Sequence, residues 1–426
     1  MRLRLTLFAL LVAVLVAATP AEARLIIGFQ SDPVVIEGDR ETAYDRMQSV
    51  GGQWVRIMLR HDRWPVDAER YRAAIESARA RGLRVMATLM SWKEDRRGTP
   101  ASWAAFTREV VARYGGAVDA WGTANEPNHG YFNFATDTTC RISRTPATAA
   151  YGSRVENGFR ILTTYRRVKP GKGTHRKVVR YLRSKKGTFN RVVRRGRARY
   201  VKVRRGRYKQ MVRFLPARGR RARYRQTITK IPLTRENTVW VSTEAARRVC
   251  EQQTWATAYR AVHAASAEVI RALDPTATVV VGDLSPNSLN TIFMEAMVQA
   301  APGAIDADVH GIHPYFRPGA DPVPGAFSMP NLEQIVGQAR AWQRAGHLTG
   351  NRTWITELGF VPDDPPAALA DAAARAESLG IELLIQYELY GGSPHDERWD
   401  TGLLEPDGTP RPSWHALREW LAGRNP

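Results

Sequence analysis

The amino-acid sequence predicts an α/β protein, a (β/α)8 TIM barrel carrying a β-rich basic insertion after its fourth strand. Three observations lead there. Eight short apolar segments recur along the chain, with helical patterns between them. Once a leader and one strongly charged segment are set aside, about 300 residues remain, the size of eight strand–helix units. The excess positive charge is confined to that one segment.

Residues 1–23 read as a secretory leader. Arg2 and Arg4 come first, then an apolar run from Leu5 to Ala18, then Ala21-Glu22-Ala23, a small-x-small cleavage site. The run has 14 residues, short of the ~20 that cross a bilayer as a helix. Cleavage near Ala23, a secreted, extracellular protein and no stable membrane span are therefore expected, with an uncleaved anchor as the alternative. The mature chain is expected to act as a monomer.

The strand candidates are "RLIIGF" (24–29), "WVRIML" (54–59), "LRVMATLM" (83–90), "AVDAWGTA" (117–124), "ATVVVGDL" (277–284), "ADVHGIHPY" (307–315), "TWITELGF" (353–360) and "IELLIQYEL" (381–389). Each is short and apolar without strict alternation, as strands buried on both faces of a parallel sheet are. In "DAERYRAAIESARARG", Tyr71, Ile75 and Ala78 share a helical face and Gly82 supplies the stop. In "TPASWAAFTREVVARYGG", Thr99 can cap and Pro100 fits the first helical position; Trp103, Phe106, Val110 and Tyr114 form the stripe. "WATAYRAVHAASAEVIRALDP" and the closing "PSWHALREWLAG" repeat the pattern. A doubly wound open sheet is the competing arrangement, but no Gly-rich phosphate loop follows the first strand.

The formal net charge of +22 hides two compositions. Between Arg141 and Cys250 stand 34 lysines and arginines against three acids, whereas the remainder has 29 basic and 38 acidic residues. The barrel is accordingly expected in two halves, 24–140 and 246–426, around an insertion at 141–245. Within it, period-two stretches such as Tyr200-Val201-Lys202-Val203-Arg204 are separated by turn signals at Lys186-Gly187, Arg195-Gly196 and Arg205-Gly206. They predict a small twisted antiparallel sheet, since Val, Tyr and Phe are too frequent for disorder. Following the fourth strand, it is expected beside the barrel mouth. Cys140 and Cys250 bracket it; in an exported protein they are a disulfide or two unpaired thiols.

Function is approached through two strand ends. "VDAWGTANEPNHG" ends an apolar run on Asn125, Glu126 and Pro127, and "RTWITELGF" delivers Glu357. In a (β/α)8 barrel the C-terminal strand ends face the active site, so Glu126 on the fourth strand and Glu357 on the seventh would face each other across the mouth. Two such carboxylates can act as acid and nucleophile on a glycosidic bond. Asp283 and Glu388, also near strand ends, are set aside, and His263 and His310 read as packed core residues. No His/Asp/Glu grouping has metal-ligand spacing and no Ser-centred elbow occurs, so neither a metal nor a cofactor is expected.

Asn-Glu-Pro with a later strand-end Glu resembles the large clan of retaining glycosidases on (β/α)8 barrels, which includes cellulases, mannanases and β-xylosidases. Three further positions carry the resemblance: Arg56 in the second strand, and His313 and Tyr315 in "GIHPYF". The resemblance implies Glu126 as acid/base, Glu357 as nucleophile, Asn125 as ligand of the sugar 2-hydroxyl, and Arg56, His313 and Tyr315 around the nucleophile and substrate. The eighth strand departs from the clan, which presents a Trp as the floor of the sugar site. Here "LLIQYELYGG" offers Gln386 or Tyr387, so Tyr387 is expected to stack on the sugar, with Trp399 in "DERWDTG" as a second aromatic platform.

The implied activity is that of a secreted retaining glycoside hydrolase acting on a poly- or oligosaccharide. A non-catalytic barrel that binds anionic cell-envelope glycan through the insertion is the alternative. For the insertion itself three roles stand open: an anionic envelope polymer or acidic polysaccharide held by long-range attraction, nucleic acid, or no specific partner. Sparse aromatic interleaving argues against nucleic acid.

Overall fold

The computed structural model describes residues 24–90, 98–130, 132–134, 136, 138–142, 151–156, 159–168, 178–184, 187–194, 197–203, 209–216, 223–232, 237–241, 243–315, 331–392 and 400–424. The leader at 1–23, Trp399 and the three predicted insertion turns lie wholly or partly outside these residues. Two compact units are present, Met1–Thr136 with Gln252–Pro426, and Asp137–Glu251.

The first unit is a closed barrel of eight parallel strands. Four precede the insertion: β1 (Ile26–Gln30), β2 (Trp54–Arg60), β3 (Arg84–Met90) and β4 (Ala120–Gly122). The second unit supplies β5 to β13, and four barrel strands follow it: β14 (Thr278–Leu284), β15 (Val309–Ile312), β16 (Arg352–Leu358) and β17 (Leu383–Tyr387). The circuit runs β1-β17-β16-β15-β14-β4-β3-β2 and closes on β1. Every apolar segment named from the sequence forms one of these strands, and helices follow them at 40–49, 68–80, 100–114, 244–273, 290–300, 332–344, 368–378 and 412–423. The sequence ranges for β4 and β15 are too long at both ends: residues 117–119 and 307–308 precede the strands, and 123–124 and 313–315 follow them toward the mouth.

Strand alternation sorts the core into two layers. Trp54, Met86, Ala120, Val280, Val309, Trp354, Leu383 and Ile385 fill the inside of the barrel, whereas Val55, Ile57, Val85, Leu89 and Trp121 pack outward beneath the helices. Burying such side chains contributes about 1.5–3 kcal/mol each. Because Trp54 faces inward, Arg56 two positions on must do so as well. That parity puts a guanidinium inside a barrel.

The helices form for the reasons visible in their residues. Thr99 caps 100–114 by accepting from the Ser102 amide, while Ser102 reciprocates at the Thr99 amide, a capping box. Trp103, Phe106, Val110 and Tyr114 are all buried along its inner side. The helix at 68–80 buries Tyr71, Ile75 and Ala78, and Gly82 just past it adopts φ +74°, which a residue with a Cβ resists. Among the described residues no helix is long and apolar enough to cross a membrane.

In the second unit, β5 (Thr138–Ile142) pairs parallel with β13 (Asn237–Val241). Between them run β6 (Tyr151–Glu156), β7 (Phe159–Val168), β8 (Val178–Ser184), β9 (Gly187–Arg194), β10 (Arg197–Val203), β11 (Lys209–Pro216) and β12 (Arg223–Pro232). These seven form one antiparallel sheet in the order β10-β9-β8-β11-β12-β7-β6. Cys140 and Cys250 form a disulfide across 110 residues, with Cα atoms 6.0 Å apart.

Candidate active site

Arg56 organises the mouth of the barrel. It has no exposed surface, and a guanidinium has five N–H donors. Each finds an acceptor. Nε donates to Thr88 Oγ1 at 3.0 Å, Nη1 to Gln30 Oε1 at 2.7 Å and Glu357 Oε2 at 2.8 Å, Nη2 to Asn125 Oδ1 at 2.9 Å and Asp283 Oδ2 at 2.8 Å. The acceptors come from β1, β3, the turn after β4, β14 and β16, so one side chain fixes five elements in register. Full satisfaction is what makes an ion pair tolerable in an apolar interior.

Glu357, on the penultimate position of β16, also accepts from the Tyr315 hydroxyl at 2.7 Å. Glu126 sits in the turn after β4 with φ +43°, and Asp283 on β14 has φ +48°. Residues with a Cβ avoid this left-handed region, and holding them there costs of order 1–3 kcal/mol each. The Glu126 amide donates to the Asp283 carbonyl at 2.8 Å, so the two unusual backbones support one another. His313 Nδ1 lies 3.1 Å from Glu126 Oε1 and 3.8 Å from Glu357 Oε2. Glu126 and Glu357 keep 14 % and 11 % of their side-chain surface exposed, while His313 keeps none. A molecule entering the mouth can reach the two carboxylates but not His313 or Arg56, whose partners are protein side chains.

The electrostatics divides the two glutamates. Burial raises the pKa of both. Glu357 has its rise opposed by the Arg56 charge and by the donors of Arg56 and Tyr315. Glu126 has only the Arg56 charge in its favour, and the charges of Glu357 and Asp283 push it further up, well above the usual carboxylate range. The Arg56 cation is already shared by two anions, so among these three carboxyls the ionised form of Glu126 is the least favoured. Burial and the Arg56 charge hold His313 neutral. Glu126, His313 and Glu357 offer ligand atoms within 4.8 Å of one another, donor types that suit a divalent ion. Arg56 already balances Glu357, however, and burial together with the charges of Glu357 and Asp283 disfavours the ionised Glu126 that a metal would need.

Space for this cluster comes from small residues. A Cβ on Gly311 in β15 would lie 2.0 Å from Asp283 Oδ1, and one on Gly122 in β4 would lie 2.7 Å from Thr88 Oγ1. Thr356 donates to Asp283 Oδ1 at 2.6 Å and completes its partners.

On the β17 side, Gln386 is fully buried and its Nε2 donates to the carbonyl of Thr401 at 2.8 Å. It is a structural strut. Tyr387 is the half-buried residue at the strand end and hydrogen-bonds Glu388, whose carboxyl is pushed up to about 7 by burial. Asp32, half-buried, accepts from the Met58 amide at 2.8 Å and Gln30 Nε2 at 2.6 Å.

The structure thus brings Asn125, Glu126, Glu357, Arg56, His313 and Tyr315 together. Sequence reasoning passed over Asp283, Gln30 and Thr88, although each is a polar residue in an otherwise apolar strand segment. His263 is buried and bonded to Thr123 Oγ1 and the Asp306 carbonyl, a core role. His310 is likewise buried.

Fold and site together define a (β/α)8 barrel with a carboxylate pair at its C-terminal mouth. Solved structures with the same fold include a family 39 glycoside hydrolase from the gut symbiont Bacteroides cellulosilyticus WH2, at 13 % identity and a TM-score of 0.53, matching 94 % of this chain and 64 % of that one. A β-galactosidase from the psychrophilic Marinomonas ef1 is also similar, at 13 % identity and a TM-score of 0.49, over 93 % of this chain and 58 % of that one. The chain therefore spans less than two thirds of the length of either. No protein-family model and no curated protein matches the chain.

Proposed function

We propose that this protein is an exported glycoside hydrolase that cleaves β-glycosidic bonds with retention of configuration. The observation that carries the reading is the closeness of Glu126 and Glu357, each of which offers one carboxylate oxygen within 4.8 Å of the other's. Retaining pairs stand about 5–5.5 Å apart, whereas inverting pairs leave about 6.5–9.5 Å for a water. Glu357 attacks the anomeric carbon while protonated Glu126 gives its proton to the departing oxygen. The sugar–oxygen bond breaks, and an ester to Glu357 forms. Glu126, now ionised, takes a proton from water, whose oxygen displaces Glu357 and releases the sugar. Because Asn125 accepts at Oδ1 from Arg56, its amide NH2 is left as the donor for a sugar hydroxyl. Tyr387, half-buried at the end of β17, is the residue we assign to stacking on the sugar ring. Export is supported by the order of residues 1–23 and by the Cys140–Cys250 disulfide.

The test is mass spectrometry of the intact protein after exposure to a panel of 2-deoxy-2-fluoro glycosyl fluorides. The expected result is a glycosyl adduct on Glu357, absent in Glu357→Gln, with the reacting fluoride naming the sugar. Folded protein that binds glycans yet forms no adduct with any member would turn the reading to a non-catalytic barrel.

A further inference from the structure

The register of the second unit carries an observation that composition alone does not. Sixteen lysines and arginines stand in the seven strands of its sheet against one acid, Glu156. Four cross-strand pairs set one cation directly opposite another: Arg166 and Arg225, Arg180 and Arg191, Arg194 and Arg197, Lys209 and Lys230. Glu156 stands opposite Phe159, so no described pair in this sheet sets an acid opposite a base. Like charges in directly opposed positions destabilise an antiparallel pair. Alternation along the strands, carried across the sheet by the register, divides the sixteen evenly between its two faces. Each face therefore carries eight cations, with the sheet's one acid on one of the two faces.

A sheet built this way gains stability when anions spaced along a chain lie between its cations. We propose that this sheet is a docking surface for an anionic glycan, a polymer of sugars or polyols bearing a carboxylate or phosphate on successive units. The choice of a glycan over another polyanion rests on the reading of the barrel as a glycoside hydrolase. The opposition of cation to cation in the register is an independent observation and holds whatever the barrel does.

The experiment uses the full chain carrying Glu357→Gln, so that affinity is read without turnover and a failure of catalysis does not count against it. Binding is measured to polygalacturonate, to a glycerol-phosphate polymer, to a neutral glucan of matched length and to duplex DNA, at rising salt. Binding to either anionic polymer, tighter than to DNA, absent for the glucan and weakening as salt screens the charges, is expected, and the two anionic arms separate carboxylate from phosphate. Arg225→Glu turns a repelling pair into an attracting one. It should raise the unfolding midpoint of the free protein by a few degrees and weaken polyanion binding roughly tenfold. Arg225→Gln, which only removes the repulsion, should move both readings the same way by less. The proposal is overturned if neither anionic polymer binds, if DNA binds at least as tightly, or if both variants lose stability or keep full affinity.

Discussion

Arg56 and Asp283 form an ion pair at 2.8 Å in which neither residue exposes more than 1 % of its side chain. The pair sits directly beneath the nucleophile candidate, because the same guanidinium donates to Glu357. Lysine at position 56 keeps the charge but has three donors in place of five and no planar fork. Arg56→Lys is therefore expected to leave acceptors among Thr88, Gln30 and Asn125 unpaired. Its expected cost is about 3–5 kcal/mol in chemical denaturation, with a fall in kcat of at least 100-fold on an aryl glycoside of the sugar found by trapping. Unchanged stability and turnover would mean that the network is ornamental.

Tyr315 lowers the pKa of Glu357 by donating to it. Removing the hydroxyl in Tyr315→Phe leaves burial less opposed, so the Glu357 pKa rises. In the proposed mechanism Glu357 must be ionised to attack, so activity climbs as pH rises through its pKa. The acidic limb of the kcat/KM profile should move to higher pH while the alkaline limb, set by loss of the Glu126 proton, moves little. An acidic limb that stays in place would remove Tyr315 from the control of ionisation.

Asp283 has the opposite influence on the other carboxyl. Its charge raises the pKa of Glu126 and also that of Glu357, so Asp283→Asn should shift both the alkaline and the acidic limb to lower pH. Gly311→Ala offers a neutral comparison, since its methyl would collide with the same Asp283 oxygen. It is expected to lower kcat with the barrel's circular dichroism intact, because displacing Asp283 displaces Arg56.

Glu126 carries a stability cost that substitution can expose. Its folded pKa is raised above 4.5, so folding favours the protonated form. The stability associated with that proton is fully present below the unfolded pKa near 4.5 and is lost as pH rises toward the folded value. Glu126→Gln does not titrate. It should be more stable than the parent protein by roughly 1–2 kcal/mol at pH 7, and the gain should fade as pH falls below about 4.5. Equal denaturation midpoints at both pH values would contradict the raised pKa.

Much of this was legible before any coordinates. Glu126 and Glu357 could be read because an apolar run that stops on a carboxylate identifies a strand end, and the count of strand–helix units places those ends around one mouth. The parity that turns Arg56 inward is also a property of sequence, given one inward neighbour such as Trp54. Asp283 was a different matter. "GDL" at the end of an apolar strand looks like any other exit into a turn. Its meaning comes from Arg56, 227 positions away in the chain, and no local pattern reports a partner at that range. The left-handed backbone of Glu126 and Asp283 was equally hidden, since neither residue type announces it as glycine would. In the second unit the sequence announced alternating cations. Which cations oppose one another depends on register, and register depends on turns whose composition did not specify it.

The chain leaves for its long excursion and returns at points whose Cα atoms are 6.0 Å apart, at Cys140 and Cys250. Two extended residues span such a gap. Every member of the Arg56 cluster lies outside the excursion, on one side of it or the other. The segment thus forms a cassette in the sequence: a change in its length or composition alters no residue of the Arg56 cluster, which is encoded on either side of it. The barrel mouth and the basic sheet are open to separate inheritance.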